Sequence, residues 1–545
     1  MLKVTNGEVY DPLNGVNGEK LDIWVEDGKI IAVGKGPSDR TPDEVIDASG
    51  AVVMPGGVDI HSHIAGSKVN IGRKMRPEDH RGDVVPKTEV TRSGVGYTVP
   101  STFVTGYRYA ALGYTTVMEA ATPPLGARHT HDELNDTPII DKGCFTLMGN
   151  NYFVLKFLER GEQDKVRAFV SWLLRATRAY AIKIVNPGGT DCWKWGKNVE
   201  DIDERIVDFD VTPRQILVAL AKAHKELGLP HSIHVHCNNL GVPGNYKTTL
   251  QTLEALGDMK VHITHAQFNS YGGTSWADFR SEAPKIAEYV NAHKNVTLDV
   301  GQVVFGEATT MTADGPWQYR LHQLTGNKWV GSDVEMETGA GVVPYTFRKR
   351  NLVNAIQWAI GLELMLLIED PWRVFLTTDH PNAGPFIFYP HIIKLLMDKD
   401  FRDEVLASCP KKVRERTVLA EIKREYSLYE IAIITRAGTA KALGLKDKGH
   451  LGVGADADIA IYPKDSDPEK MFSCPRYVLK GGEVVVKDGK VVKSVEGKTF
   501  YVDPPHEDWI EDEIKEDFER YYTVSWANYP VQNAYLPRSE VVKCG

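Results

Sequence analysis

The sequence predicts an α/β fold: a closed (β/α)8 barrel of the TIM type, carrying a small β-sandwich domain built from both termini. Three observations carry this. Short β-branched runs alternate with helical patterns through the middle of the chain. Each end holds an alternating apolar–polar run about an Asp-Gly turn. The 545 residues are enough to bury one large core and one small one. Eight strands with intervening helices favour a barrel over an open sheet, because closure leaves no edge exposed.

The hairpins come first. Near the N-terminus 21-LDIWVEDGKIIAVG-34 turns at Asp27-Gly28, and near the C-terminus 477-YVLKGGEVVVKDGKVVKS-494 turns at Asp488-Gly489. The small domain is therefore assigned to 1–50 and 436–505, the barrel to 51–435, and a C-terminal extension to 506–545. Barrel strands are expected at 52–58, 115–121, 144–150, 181–187, 231–236, 261–267, 296–301 and 374–380. The best helix, 212-TPRQILVALAKAHKELG-228, has Thr212 as N-cap, Pro213 in its first turn and Gly228 as its stop. Further helices are expected over 151–179, 282–294 and 349–369.

Composition narrows the function. Hydrophobic content of 42% and charged content of 25% are those of a soluble globular protein. A net charge of −9 argues against nucleic acid as a partner. The apolar stretch 352–368 is interrupted by Asn354, Gln357 and Glu363, so it reads as a buried helix and not a membrane span. The N-terminus lacks the apolar stretch of a signal peptide, which points to the cytoplasm. Six scattered cysteines without a CxxC pair argue against an iron–sulfur cluster. The segment 66–108 is too long for an ordinary βα connection and carries Lys68, Arg73, Lys74, Arg76, Arg81, Lys87 and Arg92. It reads as a lid or binding wall, or else as a solvated charged loop.

The polar residues at strand ends carry the chemistry. The first barrel strand delivers His61 and His63, the fourth Lys183, the fifth His234 and His236, the sixth His262 and His265, and the eighth Asp379. Barrel strands converge at their C-terminal ends, so these groups meet in one small volume. Imidazole and carboxylate suit a divalent ion such as zinc. Lys183 sits among apolar residues, where a charged ammonium is costly and the neutral amine is favoured. A neutral amine can take up carbon dioxide as a carbamate able to bridge two cations. The predicted ligands are His61, His63, Lys183, His236, His265 and Asp379. His236 is preferred to His234, which lies ~7 Å deeper by strand rise. His265 is preferred to His262 as nearer the mouth, and His380 should point away from Asp379. His129 and His131 either touch substrate or sit on a loop.

Longer phrases add a resemblance. Asp59-Ile60-His61-Ser62-His63, the other ligands and 445-LKDKGHLGVGADADIAIY-462 resemble the amidohydrolase superfamily. The phrases 98-TVPSTFVTGYRYA-110, 120-AATPPLGARHTH-131, 182-IKIVNPGGT-190, 234-HVHCNNLGVPGNY-246, 264-THAQFNSYGGT-274, 376-LTTDHPNAGPF-386 and 519-ERYYTVSWANYPVQNAYLP-537 resemble the family of formylmethanofuran dehydrogenase A subunits. That resemblance implies a dinuclear zinc centre with carboxylated Lys183, Asp379 as catalytic acid–base, and formate and methanofuran as substrates. It also implies partner subunits carrying tungsten or molybdenum pterin and iron–sulfur clusters, with no pterin in this chain. Arg73, Arg76, His129 and Asn238 are the expected substrate contacts, the arginines for methanofuran's carboxylates. The alternatives are the hydrolase subunit of a formyltransferase/hydrolase complex, a cyclic-amide hydrolase of the dihydropyrimidinase type, and a non-catalytic scaffold.

Overall fold

The computed structural model describes residues 1–79, 83–332 and 339–545. Eight parallel strands follow one another in chain order: β1 (Gly57–Ser62), β2 (Tyr114–Thr122), β3 (Asp141–Leu147), β4 (Ala181–Val185), β5 (Ile233–His236), β6 (Val261–Ile263), β7 (Val296–Asp299) and β8 (Val374–Phe375). The ring closes just beyond β8. Ser62 forms a parallel bridge with His380, and His63 N donates to His380 O at 2.7 Å. The expected barrel is therefore present.

Both hairpin turns form as read, with Asp27 and Gly28 at φ 50° and 75° and Asp488 and Gly489 at 48° and 70°. Strands from both termini build the small domain. One sheet holds Leu2–Thr5, Ile23–Glu26, Lys29–Val33 and Glu44–Asp47. The other interleaves Glu8–Asp11, Val16–Lys20 and Ala51–Pro55 with Ile459–Pro463, Tyr477–Lys480, Glu483–Lys487 and Lys490–Val491. Val4, Ile23, Val53, Ile459 and Leu479 fill the space between them. Buried Lys448 and Lys480 pair with Asp141 of β3 and with Asp458, joining this domain to the barrel.

Three elements differ from expectation. The run 52–58 is two strands, because the chain leaves the small sheet at Pro55 and enters the barrel at Gly57. Gly56 makes the crossing, where a Cβ would meet Thr115 Oγ1 at 2.2 Å. The helix expected over 151–179 is two, Tyr152–Glu159 and Gln163–Thr177, parted by Gly161 at φ 69°. β8 pairs over only two residues before the chain turns toward the barrel mouth. The helix Pro213–Leu227 forms as read, with Thr212 and Gln215 completing a capping box. Leu352–Leu367 is a buried helix, and among the described residues no helix is long and apolar enough to cross a membrane.

The basic segment is not a free loop. Its helix Ser67–Met75 packs on the hairpin strands Gly306–Thr312 and Ala340–Phe347. Arg76 fastens it, with Nε on Asp79 Oδ1 at 3.1 Å and Nη1 on Ala308 O at 2.7 Å. Arg73 Nη1 lies 2.7 Å from Glu133, and buried Lys68 Nζ donates to Ala121 O at 2.8 Å. Arg81 lies outside the described residues. Replacing Arg76 with Met removes the ion pair to buried Asp79, which keeps its hydrogen bonds from Thr98 and Val99, so a loss at or below the roughly 3–5 kcal/mol of a broken buried pair is expected. The loss is expected in urea unfolding, and an unchanged midpoint would contradict the clamp.

Candidate metal centre

The barrel's C-terminal ends gather a compact set of donors. His61 and His63 share a face of β1, because strand side chains alternate. Lys183 stands on β4, His236 ends β5, His265 follows β6 by two residues, and Asp379 follows β8 by four. All six are buried and line one cavity of about 290 Å³. Single donor atoms of His61, His265 and Asp379 all lie within 4.8 Å of one another.

Two backbone features bring them together. His265 and Asp379 have φ of 36° and 47°, a left-handed conformation that non-glycine residues hold only when surroundings impose it. Gly301 gives them room, since a Cβ there would lie 2.5 Å from His265 Cβ and 3.5 Å from Asp379 Cβ.

Around the donors, carboxylates fix orientation. Glu119 of β2 places Oε1 3.2 Å from His63 Nδ1 and accepts from Ile64 N and Ala65 N at 2.6 and 3.0 Å. Burial opposes its ionised form, but His63, Lys68 and the Ala65 N–H together hold the carboxyl below its ordinary range. Asp299 of β7 accepts from His265 N and Thr377 Oγ1 and meets His262 Nε2 at 3.0 Å. Asp314 meets His236 Nε2 at 3.1 Å while capping the helix Gly315–Thr325. Such carboxylate–histidine pairs set which ring nitrogen is free to bind.

Three buried polar atoms at this focus make no hydrogen bond: Lys183 Nζ, His61 Nε2 and His265 Nδ1. His61 Nε2 lies 2.8 Å from Asp379 Oδ1 without the alignment of a hydrogen bond, as two donors aimed at a shared cation would. Burial pushes Lys183 down to about 7, so much of it is the neutral amine near physiological pH. The donor set and its orphaned atoms fit divalent cations.

The four residues expected to contact substrate lie outside the lining of this cavity. Residues 66–108 line none of this cavity among the described residues. Arg73 and Arg76 are taken up by the protein contacts above, because their pairing satisfies charges that would otherwise be buried alone. His129 and His131 sit on the helix Ala127–Asp136, not a loop. His129 is half-exposed beside Asn70, and His131 is buried against Thr177 O. Asn238 donates to Asn186 Oδ1 and Pro187 O outside the cavity lining. The wall is instead built by the connection between β7 and β8, with Thr310, Trp317, Leu321, Tyr345 and Phe347 facing Phe268 and Trp276. The result is an apolar sleeve above a polar floor.

Residues 44–492 match the amidohydrolase family. The chain is 54% identical to Protein FwdA of Methanocaldococcus jannaschii, covering 99% of this chain and 98% of that one. It is 41% identical to the A component of the formyltransferase/hydrolase complex Fhc of Methylorubrum extorquens, covering 99% and 98%. The crystal structure of that organism's FhcABCD complex with methylofuran superposes with a TM-score of 0.94, 40% identity and 100% of both chains covered.

Proposed function

The chain belongs to the amidohydrolase family, and from that premise we propose that it is the catalytic subunit of a formylmethanofuran dehydrogenase. It condenses formate reversibly with the primary amine of methanofuran, giving formylmethanofuran and water. The observation that carries this reading is the end-to-end 54% identity to Protein FwdA. The likeness, at 0.94 TM-score, to a chain of a complex solved with methylofuran supports the substrate class that both readings share.

His61, His63, His236, His265, Asp379 and a carboxylated Lys183 would hold two divalent cations, zinc being the best match to imidazole and carboxylate. When bound, such a pair polarises a formyl oxygen and makes a water acidic. Lys183 supplies its ligand by adding carbon dioxide: the amine lone pair bonds to carbon and a proton leaves to solvent. Asp379 moves protons between water and amine. Its Oδ1 is held by Asn382 Nδ2 at 2.9 Å, between His61 and His63. In condensation the amine nitrogen bonds to the formate carbon and a C–O bond of the adduct breaks; the departing oxygen takes two protons, one carried by Asp379 and one that Asp379 passes to it from the amine nitrogen, and leaves as water. Hydrolysis runs the same transfers backwards. The apolar sleeve excludes bulk water, which favours the condensed product's survival.

The Fhc relative favours a second reading, release of formate by hydrolysis on the same site. Proteins that co-purify separate the two: pterin and iron–sulfur subunits support the dehydrogenase, a formyltransferase the hydrolase. The native assembly is expected to deformylate formylmethanofuran and leave dihydrouracil untouched. Turnover of dihydrouracil alone would replace this reading with a cyclic-amide hydrolase.

Gly301→Ala tests the site's packing. Its Cβ collides with His265, so metal affinity should fall roughly 10–100-fold, the scale on which mispositioned ligands act. Equilibrium dialysis with zinc measures it, and unaltered affinity would contradict the need for that glycine.

A further inference from the structure

Below the ligands, three imidazoles run in line down the barrel. His61 Nδ1 lies 2.8 Å from His234 Nε2, His234 Nδ1 lies 3.0 Å from His231 Nε2, and His231 Nδ1 lies 2.8 Å from Ala442 O. The last partner sets the direction of all three bonds, with Thr264 Oγ1, which also contacts His61 Nδ1, in the accepting role. A carbonyl oxygen only accepts, so His231 Nδ1 must carry a proton. Ala442 lies in the last turn of the helix Gly438–Leu443, where carbonyls lack helical partners. If His231 is uncharged, its Nε2 is a bare acceptor, and His234 Nδ1 must donate to it. His234 Nε2 then accepts from His61 Nδ1. The remaining nitrogen of His61, Nε2, is left with a free lone pair facing Asp379.

We propose that His231 and His234 are positioning residues that fix the tautomer of His61, relaying a single hydrogen-bond polarity from the Ala442 carbonyl to the ligand nitrogen. This rests on the reading of His61 as a metal ligand. The competing possibility is a further cation between His61, His234 and Asp299, whose donor atoms are also close together. Hydrogen bonding describes those atoms better. His61 Nδ1 and His234 Nε2 meet with hydrogen-bond alignment, and Asp299 Oδ2 is already engaged by His262. The chain also works only one way. A second proton on His231 would turn His234 around, and His61 would then present an N–H to the metals.

Neutron diffraction from crystals of the metal-replete full chain reads this directly. Deuterium is expected on Nδ1 of His61, His234 and His231 and on Nε2 of none; deuterium on Nε2 of His231 or His234 would overturn the relay. Substitution provides a second readout. Gln in His231→Gln keeps an acceptor toward His234 and a donor toward Ala442, whereas His231→Leu keeps neither. Zinc affinity of the stripped full chain, by chelator competition, should fall about 10–100-fold in H231L and within threefold in H231Q. Equal affinities in wild type and H231L would overturn the proposal. A wild-type chain that binds zinc but shows the wrong deuteration fails the relay alone, whereas one that binds no metal fails the site as well.

Discussion

Replacing Lys183 with Met is expected to empty the metal centre and reduce deformylation at least about a thousandfold, the scale of losing a cation-organised site, while leaving the apo-protein folded and more stable. Both halves follow from the same position. Lys183 Nζ is buried without a hydrogen bond, and burial lowers it to about 7 from an ordinary 10.5. In the metal-free protein the unfolded chain therefore binds more protons than the folded one between those values. Stability rises with pH across that window, and at neutral pH the buried amine costs roughly 4–5 kcal/mol. Methionine fills the same space without that cost. Metal-free K183M should unfold at higher urea than metal-free wild type at pH 7, with the gap narrowing toward pH 10. A lysine serving only structure predicts the opposite, a less stable variant that keeps its metal.

The second large effect is expected at Asp379. Asp379→Asn removes the proton carrier while keeping size and the bond from Asn382, since the amide oxygen can still accept. General acid–base catalysis contributes about 10²–10⁴-fold, and loss of a carboxylate ligand adds to it. Deformylation should fall by roughly 10³ or more, with KM changed much less because the cavity wall is untouched. A variant within tenfold of wild type would move the proton-transfer role to another residue.

The barrel is legible in the sequence because its strands are β-branched runs closed by turn residues, and each proposed ligand stands at a strand's exit. Strand order alone is enough to place Asp379 and His265 at the barrel mouth. Their left-handed backbone is not legible, because Gly301, which makes room for them, sits in a different loop. The cavity wall differs from expectation for a physical reason. Positive charge draws attention to 66–108, yet Arg73 meets Glu133 and Arg76 meets Glu307, distant carboxylates that sequence spacing does not reveal, besides its neighbour Asp79. The longer connection after β7, rich in Trp317, Tyr345 and Phe347, satisfies the same length argument and forms the sleeve. Glu119 and Asp299 carry the signal that exposes Lys183, a charge inside an apolar strand. His234 precedes His236 by two residues on β5, and at that depth it meets His61 Nδ1 at 2.8 Å.

The most direct measurement is diffraction at the zinc edge from zinc-loaded crystals of the chain grown with bicarbonate. The account predicts two anomalous peaks among His61, His63, His236, His265 and Asp379, and planar density for a carboxylate on Lys183 Nζ. A bare lysine amine beside an empty or singly occupied floor would contradict it.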